Sequence, residues 1–227
     1  MKLRILVGSL LVWGSFPGWA MPGIGALALS GGRSFCAFSP FLNRSEKIEE
    51  SASFQEKKGD RKADAEQLAR ALDYFASEKF HECLVLLQPL NRRYKLNPRY
   101  RAYLAVCLYY EWEYAEAVRL FDEVLPQLQG LAPHELSLYY WMDAESYFAL
   151  QQYDRALPLY EKMLPLCRDN EKPDAYYRMG FCHLFAEERK KAKECFELSL
   201  EGYLKYRNTP KEKARIAQIR HMIGGLK

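Results

Sequence analysis

In the stretch QQYDRALPLYEKML, Gln151 to Leu164, apolar residues fall at helical spacing on one face and polar residues on the other. The stretch WEYAEAVRLFDEVL, Trp112 to Leu125, carries the same order 39 residues earlier: an aromatic, two residues, Ala, three residues, an aromatic. Tyr114, Ala117 and Phe121 thus match Tyr153, Ala156 and Tyr160. With the first aromatic as marker, Phe80 opens an earlier copy and Arg189 holds the place in a later one, giving steps of 34, 39 and 36 residues. The small-residue position is then Cys83, Ala117, Ala156 or Ala192, and four residues on stand Leu87, Phe121, Tyr160 and Phe196. Upstream, Ala71, Ala105, Ala144 and Gly180 supply a second small residue that lets two helices approach. Pro98, Pro133, Pro173 and Pro210 recur in the same phase, and proline suits a first helical position because its missing N–H would be an orphan there. Asn97 predicts an N-cap before Pro98, and TPKE, Thr209 to Glu212, predicts a capping box. Pro158 is discordant, since it falls early in a second helix and costs a hydrogen bond unless it stays within the first turn.

This combination of small and aromatic positions resembles the tetratricopeptide repeat family. The resemblance covers about residues 64–208 as four copies, near 64–97, 98–132, 133–172 and 173–208. No copy keeps the family's early Trp, the fourth has Arg189 for its hairpin aromatic, and the first has Cys83 where Ala is usual. The resemblance implies an all-α fold, a right-handed superhelix of antiparallel helix pairs whose first helices line a concave groove. The segment 210–223 is expected to close the stack as a capping helix, because Ile216, Ile219 and Ile223 share one face and basic residues occupy much of the rest. A basic helix lying on an anionic surface is the competing reading.

Before residue 63 the pattern changes. Lys2 and Arg4 precede ILVGSLLVW, and no charged residue follows until Arg33. This is the order of a signal peptide, with small residues before cleavage after Ala20 or Ala28. An uncleaved anchor through residues 5–28 is the alternative, although two prolines and five glycines oppose one continuous spanning helix. Residues 29–62, rich in both charges from Asn43 to Lys62, read as a flexible linker with too little apolar surface to offset ordering entropy. The repeat domain would then occupy 63–227. Three of the four net positive charges lie within the first 33 residues, so the repeats are nearly neutral. No clustered basic face of the kind nucleic acid needs is expected.

The sequence predicts no catalytic residues, no cofactor and no metal. It has no phosphate loop, no GxSxG and no HExxH, and its four histidines are scattered. His183 falls at an inward position, as a satisfied core histidine would. The six cysteines form no CxxC. Cys83, Cys107 and Cys195 read as small buried hydrophobes, and Cys182 with Cys195 is the one pair singled out as a disulfide candidate. Glu111, Glu113, Glu187 and Glu188 read as solvated turn residues.

The resemblance also assigns slots to the groove. Leu72, Tyr109, Tyr110, Trp141, Glu145, Phe148, Tyr177, Phe181 and Phe185 fall in them. Some family members hold a C-terminal carboxylate with Lys and Asn at two such slots, and neither residue type is present here. An aromatic, weakly charged groove suits an apolar or amphipathic segment of a protein or peptide partner. Cover by the N-terminal segment, the terminal helix or a second copy, or plain packing between repeats, are the alternatives. The expectation is a non-enzymatic adaptor, exported to the periplasm or membrane-anchored. The alternative is a cytoplasmic chaperone of the secretion type that sequesters client segments.

Overall fold

The two small residues and the ring of each copy meet at one place. Ala71, Cys83 and Leu87 in the first copy, Ala105, Ala117 and Phe121 in the second, and Ala144, Ala156 and Tyr160 in the third are all fully buried. Ala192 and Phe196 repeat this in the fourth, where Gly180 is buried too. At Gly180 the approach is closest, since a Cβ there would lie 2.6 Å from Phe196 Cε1. A fully buried ring cannot swing aside from such a contact, so glycine is the residue that fits.

The structure is a computed structural model that describes residues 50–226, all within the unit Phe41–Lys227 of the two into which the chain divides. Expectations for residues 1–49, the signal or anchor among them, lie outside the described residues. Four helix pairs follow one another. They are α1 (Glu50–Ala76) with α2 (Phe80–Tyr94), α3 (Pro98–Tyr110) with α4 (Tyr114–Val124), α5 (Pro133–Ala149) with α6 (Tyr153–Met163), and α7 (Lys172–Phe185) with α8 (Arg189–Tyr206). The helix α9 (Lys213–Gly225) comes last. Each helix packs on the next, both within pairs and between them. No strand occurs among the described residues.

Every pair turns in the same way. Glu78, Trp112, Gln151 and Glu187 adopt left-handed backbone conformations, with φ between 58° and 65°. The N–H of the next residue, Lys79, Glu113, Gln152 or Glu188, donates back to the carbonyl of Tyr74, Leu108, Tyr147 or His183, at 2.9 Å in each case. The left-handed residue's own N–H donates to Phe75, Tyr109, Phe148 or Leu184. This pair of bonds is the Schellman closure of a helix end. It fixes a two-helix hairpin without a glycine at any of the four positions.

Proline meets its expectations in part. Pro98, Pro133 and Pro173 stand in the first turns of α3, α5 and α7, and the Asn97 side chain accepts from Tyr100 N–H at 3.0 Å. Thr209 makes no side-chain cap, and Pro210 to Glu212 form a short 3₁₀ turn before α9. Pro158 lies inside α6 rather than in its first turn, and Pro89 lies inside α2. Both are exposed, so water can reach the carbonyls left without an amide donor. The linker expected over 29–62 is also shorter on its C-terminal side, because α1 starts at Glu50. Its Glu, Lys, Arg, Gln and Ala residues are good helix formers. They extend a helix already nucleated where Ala71 and Phe75 pack, and propagation is far easier than nucleation.

A left-handed non-glycine residue costs about 1–2 kcal/mol. Gln151 is exposed, so Gln151→Gly is expected to stabilise the protein by about 1 kcal/mol, net of the extra freedom glycine gains on unfolding. Urea denaturation followed by circular dichroism measures this. A lower midpoint would show that the Gln151 side chain contributes more than its backbone conformation costs.

Candidate functional site

The last turns of the leading helices and the first turns of their partners lie together, so the rings on both meet along the hairpin edge. Phe80 at the start of α2 stacks on Tyr110 at the end of α3, with centroids 4.0 Å apart and planes within 1°. Tyr153 at the start of α6 stacks on Phe185 at the end of α7 at 4.4 Å. Each contact joins one helix pair to the next. Around them Tyr109 meets Tyr110 at 5.2 Å, and Phe148 meets Tyr153 at 5.1 Å, both edge-on. Phe181 lies 6.1 Å from Phe185 and 4.9 Å from Tyr177. Aromatic pairs in these geometries add to the area they bury.

The nine residues expected in the groove therefore divide. Phe148, Tyr177, Phe181 and Phe185 form one connected cluster, and Tyr109 with Tyr110 forms another. Phe185 is 52 % exposed; Tyr109, Tyr110, Phe148 and Phe181 are half-buried, as is Leu72 on α1. Trp141 and Tyr177 retain only 5 % exposure each, and Glu145 8 %. Trp141 packs edge-on against Tyr160 at 5.5 Å. These three are held within the stack: Trp141 by its partner helix, Glu145 by Arg178 of the next pair, and Tyr177 by α8 and α9. The terminal helix adds to this. Ile216 and Ile219 of α9 share a core with Tyr177, Phe196 and Tyr203, while Phe181, Leu184, Met222 and Ile223 pack around it. Arg215 lies 4.2 Å over the Tyr177 ring. Part of the fourth copy's leading face is thus covered by the chain's own last helix.

Glu145 is held rather than offered. Its carboxylate accepts from Tyr160 O–H at 2.5 Å and from Arg178 Nη2 at 2.6 Å. Arg178 in turn lies 4.6 Å over the Phe148 ring. Burial works against the Arg178 charge, but the Glu145 carboxylate outweighs it and holds the guanidinium pKa above its ordinary value. Arg178 had no place in the sequence reading. Its signal would have been a basic residue one position after the Tyr177 slot, facing an acid one repeat earlier.

The exposed ring the sequence reading missed is Trp112. It occupies the left-handed turn position of the second pair and is 68 % exposed. Acidic side chains accompany the rings along this edge: Glu78, Glu113, Asp154, Glu187 and Glu188 are exposed, and Glu111 lies 2.8 Å from His81 Nδ1. Burial, with Glu78 adding, pushes Tyr110 up to about 12, so its hydroxyl stays a neutral donor at ordinary pH. His183 is buried with Nδ1 2.6 Å from Glu188, as a satisfied histidine.

Nucleophilic chemistry finds little footing among the described residues. Burial raises the thiols of Cys182 to about 12 and of Cys167 and Cys195 to about 11, which keeps them protonated. Cys182 and Cys195 are free thiols. Among the described residues, no group of three or more His, Cys, Asp or Glu could hold a metal ion. One carboxyl is anomalous. Asp143 on α5 is fully buried and neither of its oxygens has a hydrogen-bond partner. Burial, reinforced by Asp122, pushes it up to about 8, and Arg155 and Lys162 offset only part of that.

The comparisons bear on the fold. No protein-family profile matches the sequence, and no curated protein matches it either. Solved structures do. MamA of strain AMB-1 aligns with a TM-score of 0.56 at 15% identity, over 71% of this chain and 83% of that one. MamA 41-end from Desulfovibrio magneticus RS-1 aligns at 0.50 and 16%, over 72% and 92%. The apo form of RapI aligns at 0.54 and 12%, over 72% and 62%. This likeness identifies the arrangement of helix pairs as a tetratricopeptide-type solenoid.

Asp143 yields a pH dependence of definite sign. Its folded pKa lies above the unfolded value of about 4, so the folded state binds the extra proton between the two. Stability is fully present below about pH 4 and falls as pH rises through about 8. The loss is on the order of 3–5 kcal/mol. Asp143→Asn should remove this slope, and denaturant unfolding from pH 4 to 9 checks it. Parallel curves for the two proteins would show that the carboxyl ionises without cost.

Proposed function

We propose that this tetratricopeptide-type solenoid is a non-enzymatic adaptor that holds an apolar or amphipathic segment of a partner protein against the aromatic edge of its leading helices. The observation that carries this reading is the exposure of two large rings, Trp112 and Phe185, on a face already built of stacked aromatics. Exposed rings held by a rigid framework lose little conformational freedom on binding and supply large contact area. The carboxylates beside them favour a segment whose polar side is basic. Catalysis has weaker support, because the polar groups near this face, Glu145 and Arg178, are committed to one another. We place the protein in the bacterial envelope on the strength of the signal-like residues 1–28; among the described residues, no helix is long and apolar enough to cross a membrane.

Both parts are open to test. With tagged protein, recovery of its principal partner from cell extract should fall at least tenfold on Trp112→Ala with Phe185→Ala. The two side chains are exposed, so the circular dichroism of the variant should match wild type. Undiminished recovery would move binding elsewhere on the stack. The intact mass of protein from the envelope fraction should correspond to a start at Met21 or Leu29, and a chain that retains Met1 in the cytosol would support the chaperone reading.

A further inference from the structure

The near-neutral sum of residues 34–227 hides a separation of charge. Between Tyr203 and Lys227 stand seven basic residues and one acid, Glu212, a net +6, while residues 34–202 carry −5. Glu212 is already engaged. Arg207 donates to it at 2.7 Å and, through its other terminal nitrogen, to Asp174 in the first turn of α7. Asp174 also accepts from the Tyr203 hydroxyl of α8. This junction ties the start of α7, the end of α8 and the approach to α9 together. It brings Lys211 and Lys213, which flank Glu212, close to Lys172 and Pro173, which precede Asp174. Arg215 is held over the Tyr177 ring. The other cations, Lys205, Lys211, Lys213 and Arg220, are exposed and form no salt bridge among the described residues. Lys213 and Arg220 lie two turns apart on α9, off the line of the buried Ile216 and Ile219.

Apolar surface accompanies these cations. Leu198, Leu204 and Tyr206 of α8 are 45, 39 and 43 % exposed, and Lys205 Nζ lies 4.9 Å over the Tyr206 ring. Leu198, Tyr206 and Pro173 line a cavity of about 230 Å³ between α7 and α8. Gly202 also lines it, where a Cβ would lie 2.5 Å from Pro173 Cγ. At the cavity Lys172 and Lys205 are matched by Asp169 and Glu201, and Lys172 lies 2.7 Å from Asp169. The cavity is therefore neutral, and the excess positive charge sits on Lys211, Lys213 and, two turns along α9, Arg220.

We infer that this end of the solenoid docks on the face of an anionic lipid bilayer. Such a surface presents negative headgroups over an apolar layer, and the patch complements both. The lysine stems let their ammonium groups reach the headgroups, while Leu204 and Tyr206 enter the interface beneath. A nucleic acid would meet the charge and leave the leucines in water. The apolar face of α9 is spent on the core with Tyr177 and Phe196, so the helix does not embed as an amphipathic anchor. What the bilayer meets is its basic side, and a few basic residues together give a reversible, salt-sensitive attachment. The start of α7 and the end of α8 are opposite their shared hairpin turn, so docking leaves the ring-bearing edge free.

The test is co-sedimentation of the full chain with vesicles of phosphatidylglycerol and phosphatidylcholine in equal parts, and with phosphatidylcholine alone. The readout is the ratio of the two partition coefficients, in which any contribution of the apolar residues before Arg33 that does not depend on lipid charge cancels. Lys211→Glu with Lys213→Glu and Arg220→Glu should lower that ratio at least tenfold, and raising salt from about 0.05 to 0.5 M should do the same to the wild type. Lys211→Arg with Lys213→Arg keeps the charge and should keep the ratio. Leu204→Ser with Tyr206→Ser should weaken binding to the acidic vesicles about threefold at high and low salt alike. All these side chains are exposed, and matching circular dichroism confirms that the variants fold. A ratio unchanged by the charge reversal would overturn the inference. So would binding to a short DNA duplex that is tighter than to the acidic vesicles and is lost in the same charge-reversed variant.

Discussion

The rest of the structure depends on how closely two helices cross. At each crossing a side chain no larger than Ala or Cys lies on both helices, and a Leu, Phe or Tyr from the second helix closes over them. The contact rests mainly on shape and on apolar area removed from water. Because the crossing recurs in phase, its geometry is passed from one pair to the next. The stacked rings at the hairpin edge follow from it: Phe80 reaches Tyr110, and Tyr153 reaches Phe185, because the pairs repeat at a fixed offset. The third pair has Ala149 at the place of Tyr110 and Phe185, so this stack does not recur between the second and third pairs.

This explains which features could be read in the sequence. The crossing residues occur four times, and a fourfold signal in side-chain size survives the loss of the early Trp, the Arg at 189 and the Cys at 83. The prolines mark helix starts for a local reason that does not depend on packing. The candidate surface was less legible. Trp141 and Tyr177 occupy slots that the family resemblance assigns to an open groove, yet here Trp141 packs on Tyr160 of its partner helix and α9 packs over Tyr177. Whether a ring on a leading helix is open depends on the bulk of residues up to 40 positions away, and one sequence does not display that relation. Trp112 was missed for another reason: a left-handed turn position calls for glycine or Asn, so a Trp there gives no periodic signal. The charged residues at the start of α1 were misjudged because their helix is sustained by packing further along the chain.

Two carboxylates on α5, one turn-half apart, show how the same interior treats charge differently. Glu145 has a phenol and a guanidinium within hydrogen-bonding distance, and the guanidinium is itself backed by the Phe148 ring. That arrangement meets the usual requirement for a buried ion pair, in which hydrogen bonds and attraction together offset desolvation. Asp143 faces the other way and has no such partner, so a proton replaces the missing cation. The first links the third pair to the fourth; the second leaves a weak point inside the third. Removing Arg178 would leave Glu145 with the Tyr160 hydroxyl in place of its countercharge.

The identical three-residue turns have a consequence for how the molecule can vary. Since all four hairpins close through the same bonds, differences in repeat length fall away from the turns, in the lengths of the helices and in the connections after α2, α4 and α6. Lengthening the connections changes the rim opposite the turns and leaves the hydrogen bonds at Glu78, Trp112, Gln151 and Glu187 as they are. The hairpin rim thus keeps one closure throughout, while the far rim is free to acquire loops.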